Sequence, residues 1–112
     1  MPDLIFKKKH YIEQVHEVVR TIPVGRVTSY GAIADYLALG SARMVGFALK
    51  NAVMMDGLPA HRVLNSKGEL SGRNAFPSPT FMQEMLESEG VPIENFKVVG
   101  FKKFFWHPAG EI

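Results

Sequence analysis

Cysteine is absent from all 112 residues. That excludes disulfide cross-links, cysteine-ligated zinc and every reaction that runs through a thiolate. Long apolar runs are missing too. No stretch approaches the roughly 20 residues needed to span a bilayer, and no apolar segment of signal-peptide length follows the basic Lys7-Lys8-Lys9 start. Neither a membrane partner nor secretion is expected, and the cytoplasm is the default compartment. Charge of one sign is scarce: thirteen Lys and Arg against eleven Asp and Glu leave +2, compatible with a polyanionic partner but too little to argue for one. Repeats and low-complexity segments do not occur. His10, His16 and His107 have no metal-ligand spacing with one another, so no metal and no cofactor is expected.

What is present suits one soluble domain spanning residues 1–112, with 1–7 as a flexible end. Ile12, Val15, Val19 and Ile22 recur on one helical stripe, so residues 10–22 read as an amphipathic helix that Pro23 and Gly25 end. Arg26-Val27-Thr28 is a short extended entry. Thr28 or Ser29 caps a helix to about Leu39 with the stripe Tyr30, Ile33, Ala34, Leu37 and Ala38. Leu39-Gly40-Ser41 breaks it, and another helix follows over about 41–52. Two short helices joined by a glycine-containing turn suggest a helix-turn-helix.

Residues 53–78 are rich in Gly and Pro, with Arg62-Val63-Leu64 as a candidate strand. Ser78 and Pro79 suit the N-cap and first position of a further helix, whose apolar face is Phe81, Met82, Met85 and Leu86 and whose stop is Gly90. The aromatic, basic stretch from Lys97 to Trp106 reads as a hairpin or irregular wing. Its Phe101, Phe104, Phe105 and Trp106 pack onto the core, with a base-stacking platform as the alternative. The fold class is mainly α with small β elements.

The 41–52 helix has two contrasting faces. Val45, Ala48, Leu49 and Ala52 share the inward side, while Arg43, Gly46, Phe47 and Lys50 share the outward one. Gly40, Ser41 and Ala42 keep its first turn small, which favours close approach to a groove and phosphate at the N-terminus. A solvated face with one stray Phe is the plain alternative.

Three segments, in this order and spacing, are Gly25-Arg26-Val27-Thr28-Ser29-Tyr30-Gly31-Ala32-Ile33-Ala34, then Ala42-Arg43-Met44-Val45-Gly46, then Pro59-Ala60-His61-Arg62-Val63. Together they resemble the DNA-binding domain of the O6-alkylguanine-DNA alkyltransferases, over about residues 8 to 106. That family has Cys where Ala60 stands, and the cysteine-free version resembles the alkyltransferase-like proteins. The family's separate N-terminal domain has no expected counterpart.

The resemblance implies a winged helix-turn-helix-like domain that takes double-stranded DNA containing O6-alkylguanine by the minor groove. It implies that Arg43 replaces the extruded base and that Tyr30 presses on the neighbouring phosphate. Ser41, Ala42 and Gly46 seat the helix, with Lys50 beside them. A lesion pocket is implied at Tyr30, Pro59, Ala60, Leu70 and Ser71, with Leu70-Ser71-Gly72 as its lid. His61 matches the general base and Glu89 the carboxylate that orients it. Asn51 lies one residue closer to Arg43 than the family's asparagine does. The Arg62–Ser71 loop is shorter than in active enzymes, and Leu70 stands where they often have Tyr. The family association further implies hand-over to nucleotide excision repair proteins, a monomeric state and a place in the bacterial cytoplasm or nucleoid.

Dealkylation of guanine O6 is a displacement at carbon by a soft, activated thiolate. Ala60 presents a methyl group, so His61 and Glu89 are vestigial and no enzyme activity is expected. Glu89 has two candidate partners, His61 and Arg62, because a partly buried carboxylate needs one. For Tyr30, core packing competes with a hydroxyl at the DNA surface. Two other functions fit less well. A major-groove regulator of unmodified sequences would carry more base-edge readers than Arg43, Lys50 and Asn51. A hydrolase using His61 would need a nucleophile, and no motif links one to it; Ser71 is an unsupported candidate.

Overall fold

The computed structural model describes residues 3–110. Met1, Pro2, Glu111 and Ile112, together with the side chains of residues 3–10 and so Lys7, Lys8, Lys9 and His10, lie outside the described residues.

Helix α1 runs Asp3–Arg20. Its first turns fall within residues 1–7, the stretch read from the sequence as a flexible end. Its stripe reaches the core through Val15 and Val19, both fully buried, while Ile12 packs at the margin. Strand β1, Thr28–Ser29, leads directly into α2, Tyr30–Tyr36. Ser29 rather than Thr28 is the cap: its hydroxyl accepts from the Ala32 N–H at 3.0 Å. Helix α2 stops short of Leu39 because Ala38 takes a left-handed conformation (φ 56°), letting the Leu39 N–H return to the Ala34 carbonyl at 2.8 Å.

Helix α3, Ala42–Lys50, packs across α2 and α1. Val45, Ala48, Leu49 and Ala52 are buried, and Arg43, Phe47 and Lys50 are exposed, as the periodicity requires. His16 Nε2 hydrogen-bonds the Ala48 carbonyl at 2.9 Å and so ties α1 to the inner face of α3.

Arg62 belongs to a 3₁₀ turn, Ala60–Arg62, so the expected strand shrinks to β2, Val63–Leu64. This strand pairs in parallel with β1, Thr28 opposite Val63 and Ser29 opposite Leu64. Parallel pairing of two-residue strands is sustained by burial: all four residues are inaccessible or nearly so. After a second 3₁₀ turn, Arg73–Ala75, α4 spans Phe81–Ser88. It begins later than Ser78-Pro79 suggests. The Ser78 carbonyl accepts only a turn-type bond from the Phe81 N–H, and Thr80 is the residue that precedes the helix.

The wing is a hairpin of β3, Ile93–Glu94, and β4, Lys97–Val98, followed by the single turn α5, Phe101–Phe104. Asn95 and Phe96 both adopt positive φ, 52° and 57°, the requirement of a two-residue hairpin turn. Of its aromatics, Phe101, Phe104 and Trp106 pack on the core, and Phe105 meets Phe101 edge-on at 5.5 Å. The Val27 and Trp106 backbones close this end, the Trp106 N–H donating to the Val27 carbonyl at 2.7 Å.

Candidate functional site

Parts of the chain that are remote in sequence enclose one cleft of about 530 Å³, within the range that holds small organic groups. Helix α3 supplies a wall through Ala42, Arg43, Gly46, Phe47 and Lys50. Tyr30, the first residue of α2, closes a second side. Gly72, Ala75 and Phe76 close a third, and Ala60, 5% exposed, lies at the base. The β1–β2 pairing fixes the register that brings Tyr30 and Ala60 to the same cleft.

Arg43 stands exposed at the rim, on the second position of α3. A Cβ added at Gly46 would meet nothing within 4 Å. The fold itself therefore does not need that glycine, and what it gains is room for something outside. Ser41 is the N-cap by conformation, yet its side chain makes no capping bond. Both the hydroxyl and the first amides of α3 stay available to an external acceptor. Gly72 is different: a Cβ there would lie 2.6 Å from the Tyr30 hydroxyl. Glycine is what lets that hydroxyl reach across the cleft to the 71–72 segment. Burial raises the Tyr30 pKa, with a Ser71 hydrogen bond acting the other way, so the phenol keeps its proton at neutral pH.

Directly behind Ala60, His61 and Arg62 both engage Glu89, which ends α4. His61 Nε2 lies 2.9 Å from Glu89 Oε2. Arg62 donates to both carboxylate oxygens at 2.9 and 2.7 Å and to the Ile22 carbonyl at 2.8 Å. Both partners weighed for Glu89 are thus real. Burial lowers the His61 pKa, Glu89 resists this, and the Arg62 charge adds to the lowering. The ring is neutral and donates Nε2–H. Burial pushes the Glu89 carboxyl up, but the hydrogen bonds from Arg62 and His61 and the Arg62 charge outweigh it and hold the group below 4.5.

Both shifts make the protein less stable in acid. With the folded His61 pKa below 6.5, the unfolded chain binds a proton that the folded chain refuses. The stabilisation is complete above about pH 6.5 and declines as pH falls through the folded value. Glu89 continues the decline below about 4.5. Melting midpoints by circular dichroism are expected to be level from neutral pH to about 8 and to drop from about pH 6.5 downward. A midpoint rising over that interval would refute the assignment.

The structure departs from the expected pocket at three positions. Leu70 is fully buried and does not line the cleft, because its N–H is pinned to the Phe96 carbonyl under the wing at 2.9 Å. Pro59 turns to the opposite side of the Ala60 segment and lines a separate cavity. Ser71 is exposed and touches the site only through Tyr30. Asn51 is the exposed C-cap of α3. In place of Leu70 and Pro59, the walls are Phe47, Leu49, Val53, Ala75 and Phe76. A buried aromatic in a Gly- and Pro-rich stretch was the available signal for Phe76; Val53 and Ala75 carry none. Among the described residues no cluster of His, Cys, Asp or Glu could hold a metal ion, and no helix is long and apolar enough to cross a membrane.

Residues 10–91 match the family described as 6-O-methylguanine DNA methyltransferase, DNA binding domain. Alkyltransferase-like protein 1 of Schizosaccharomyces pombe is 35% identical over 103 residues, covering 88% of this chain and 95% of that protein. A DNA base-flipping protein of Vibrio parahaemolyticus is 35% identical over 101 residues, covering 88% and 97%. The crystal structure of S. pombe Atl1 in complex with damaged DNA containing O6-carboxymethylguanine superposes with a TM-score of 0.77 at 32% identity, covering 89% of this chain and 97% of that one.

The chain belongs to the alkyltransferase-like family. Like the enzymes whose DNA-binding domain it shares, this alkyltransferase-like chain has a histidine next to the base of its cleft and a carboxylate behind the histidine. Unlike them it has no thiol there or anywhere else. Alkyl transfer to cysteine is closed to it, and the His61–Glu89–Arg62 cluster serves to hold the Ala60 turn against α4.

Proposed function

We propose that this chain binds duplex DNA at O6-alkylated guanine, turns the damaged nucleotide out of the helix into the cleft above Ala60, and holds it there unaltered. One observation carries the reading: an arginine exposed at the rim of a cleft whose base is a buried methyl group. The damaged-DNA complex of the S. pombe relative and the base-flipping name of the Vibrio relative support it.

The small N-terminal turn of α3 and Gly46 let the helix approach the minor groove. The Ser41 hydroxyl and the first N–H groups of α3 donate to a phosphate, with Lys50 adding charge. Extruding a base costs a few kcal/mol, and less when its pairing is already poor, as it is for O6-alkylguanine. Arg43 fills the vacated stack, and the protonated Tyr30 hydroxyl donates to the displaced nucleotide's phosphate. The O6 substituent then rests on the methyl of Ala60 and the apolar Val53 and Phe76. A complex that changes neither party acts by marking the site, and we assign it to hand-over to nucleotide excision repair, with the protein binding as a monomer.

The test is a titration of duplexes in two sequence contexts, each with guanine or O6-methylguanine at one position. Tighter binding of the modified duplex is expected in both contexts, with no mass added to the protein afterwards. Equal affinity for damaged and undamaged DNA, or preference for one sequence regardless of damage, would overturn the reading in favour of a sequence-specific regulator. A methyl adduct on the protein would overturn the claim that no transfer occurs.

A further inference from the structure

The cleft adjoins a second cavity of about 390 Å³. Val53 and Phe76 line both. The chain alternates at this boundary: Ala60 faces the first space, and its neighbours Pro59 and His61 face the second. At Val53 and Phe76 the partition is thus a single side chain thick. The lining of the second cavity includes Met54, Met55 and Met85. Met54 and Met55 are 56% and 46% exposed, an unusual display of large apolar side chains. Unbranched thioethers have three rotatable bonds and adapt to irregular apolar guests.

Phe76 follows the Arg73–Ala75 turn and belongs to neither helix nor strand. Its ring is held by stacking on Phe81, centroids 5.8 Å apart and planes 18° from parallel, and Phe81 itself lines the second cavity. Phe76, 8% exposed, is therefore a side chain that stands between the two spaces.

We propose that the second cavity is a subsite for the far end of a long, apolar O6 substituent, and that Phe76 sets the length at which it is entered. The proposal rests on the lesion-binding reading above. Short groups end against Ala60, Val53 and Phe76. Longer unbranched alkyl or arylalkyl groups cross the partition and lie along the methionines. The mouth of this cavity also carries Arg20, whose Nη2 approaches the Met55 sulfur at 3.9 Å.

Duplexes carrying O6-methyl-, O6-butyl- and O6-octylguanine at one position test this with the full chain. The parent is expected to gain affinity along the series, roughly two- to fourfold for each CH₂ that is buried, with octyl tighter than butyl. Met55→Glu places a hydrated carboxylate at the cavity mouth on an exposed position. It is expected to lower octyl affinity about fivefold or more and to leave methyl affinity within about twofold. Phe76→Leu keeps the partition apolar but thinner and is expected to raise the octyl-to-methyl ratio. Equal effects of Met55→Glu on methyl and octyl duplexes, or octyl no tighter than butyl in the parent, would overturn the subsite while leaving lesion binding intact. A parent that binds O6-methylguanine and guanine alike overturns the lesion reading itself, and the subsite with it.

Discussion

An Arg43→Ala variant is expected to bind an O6-methylguanine duplex on the order of 2–3 kcal/mol more weakly than the parent, roughly 30- to 150-fold, because the cost of extruding a base is of that size and nothing else fills the gap. Arg43 is exposed on α3 at the rim of the cleft, and no hydrogen bond or ion pair within the described residues holds it. Its removal takes nothing from the core, so the melting midpoint should stay where it is. The neighbours cannot compensate: Ala42 and Gly46 are small, and Lys50 lies two turns along, at the other end of the helix. Fluorescence anisotropy must compare variant and parent at one salt concentration, since phosphate contacts make every DNA affinity salt-dependent. Binding within about threefold of the parent would show that this arginine is not what holds the duplex open.

Glu89→Ala is expected to cost about 3 kcal/mol of stability, a drop of roughly 12–24 °C in the melting midpoint for a domain of this size. The carboxylate accepts three hydrogen bonds, one from His61 and two from Arg62, and its side chain is only 12% exposed. Removing it leaves a mostly buried guanidinium with the Ile22 carbonyl as its remaining acceptor, and an uncompensated buried charge is more costly than a lost contact. The deficit should persist from neutral pH down to about 4.5 and narrow below it, where the parent's Glu89 takes up its proton. Thermal melts across pH separate this from simple loss of packing. A deficit under about 1 kcal/mol would mean that the 3₁₀ turn is held in place by its apolar neighbours alone.

Much of the fold is legible in the residues because its helices are strongly periodic. Val15, Val19 and Ile22 lie on the buried stripe their spacing defines, and α3 divides into buried and exposed faces where Val45 and Arg43 require it. Ends are less legible. Ser78-Pro79 is a sound helix start by local chemistry, yet α4 begins at Phe81, since packing of Phe81 on Phe76 decides the matter. The reactive position was readable from the Pro59-Ala60-His61-Arg62-Val63 motif, and Glu89 from the same resemblance. The cleft walls were not. Val53, Ala75 and Phe76 meet Tyr30 only because β1 and β2 pair across 35 residues of chain (Thr28 opposite Val63). No local pattern encodes which loop side chains such a pairing brings face to face. Leu70 illustrates the converse: beside Ser71 and Gly72 it looks like part of a lid, but its backbone is tied under the hairpin.

The methyl group of Ala60 also fixes the arithmetic of supply. Enzymes that accept an alkyl group on cysteine are consumed one for one, so their copy number must keep pace with the number of lesions. A chain whose contact with damage is reversible is released intact from every encounter. A small pool can therefore patrol a genome repeatedly, and how long each copy stays depends on its dissociation rate rather than on chemistry.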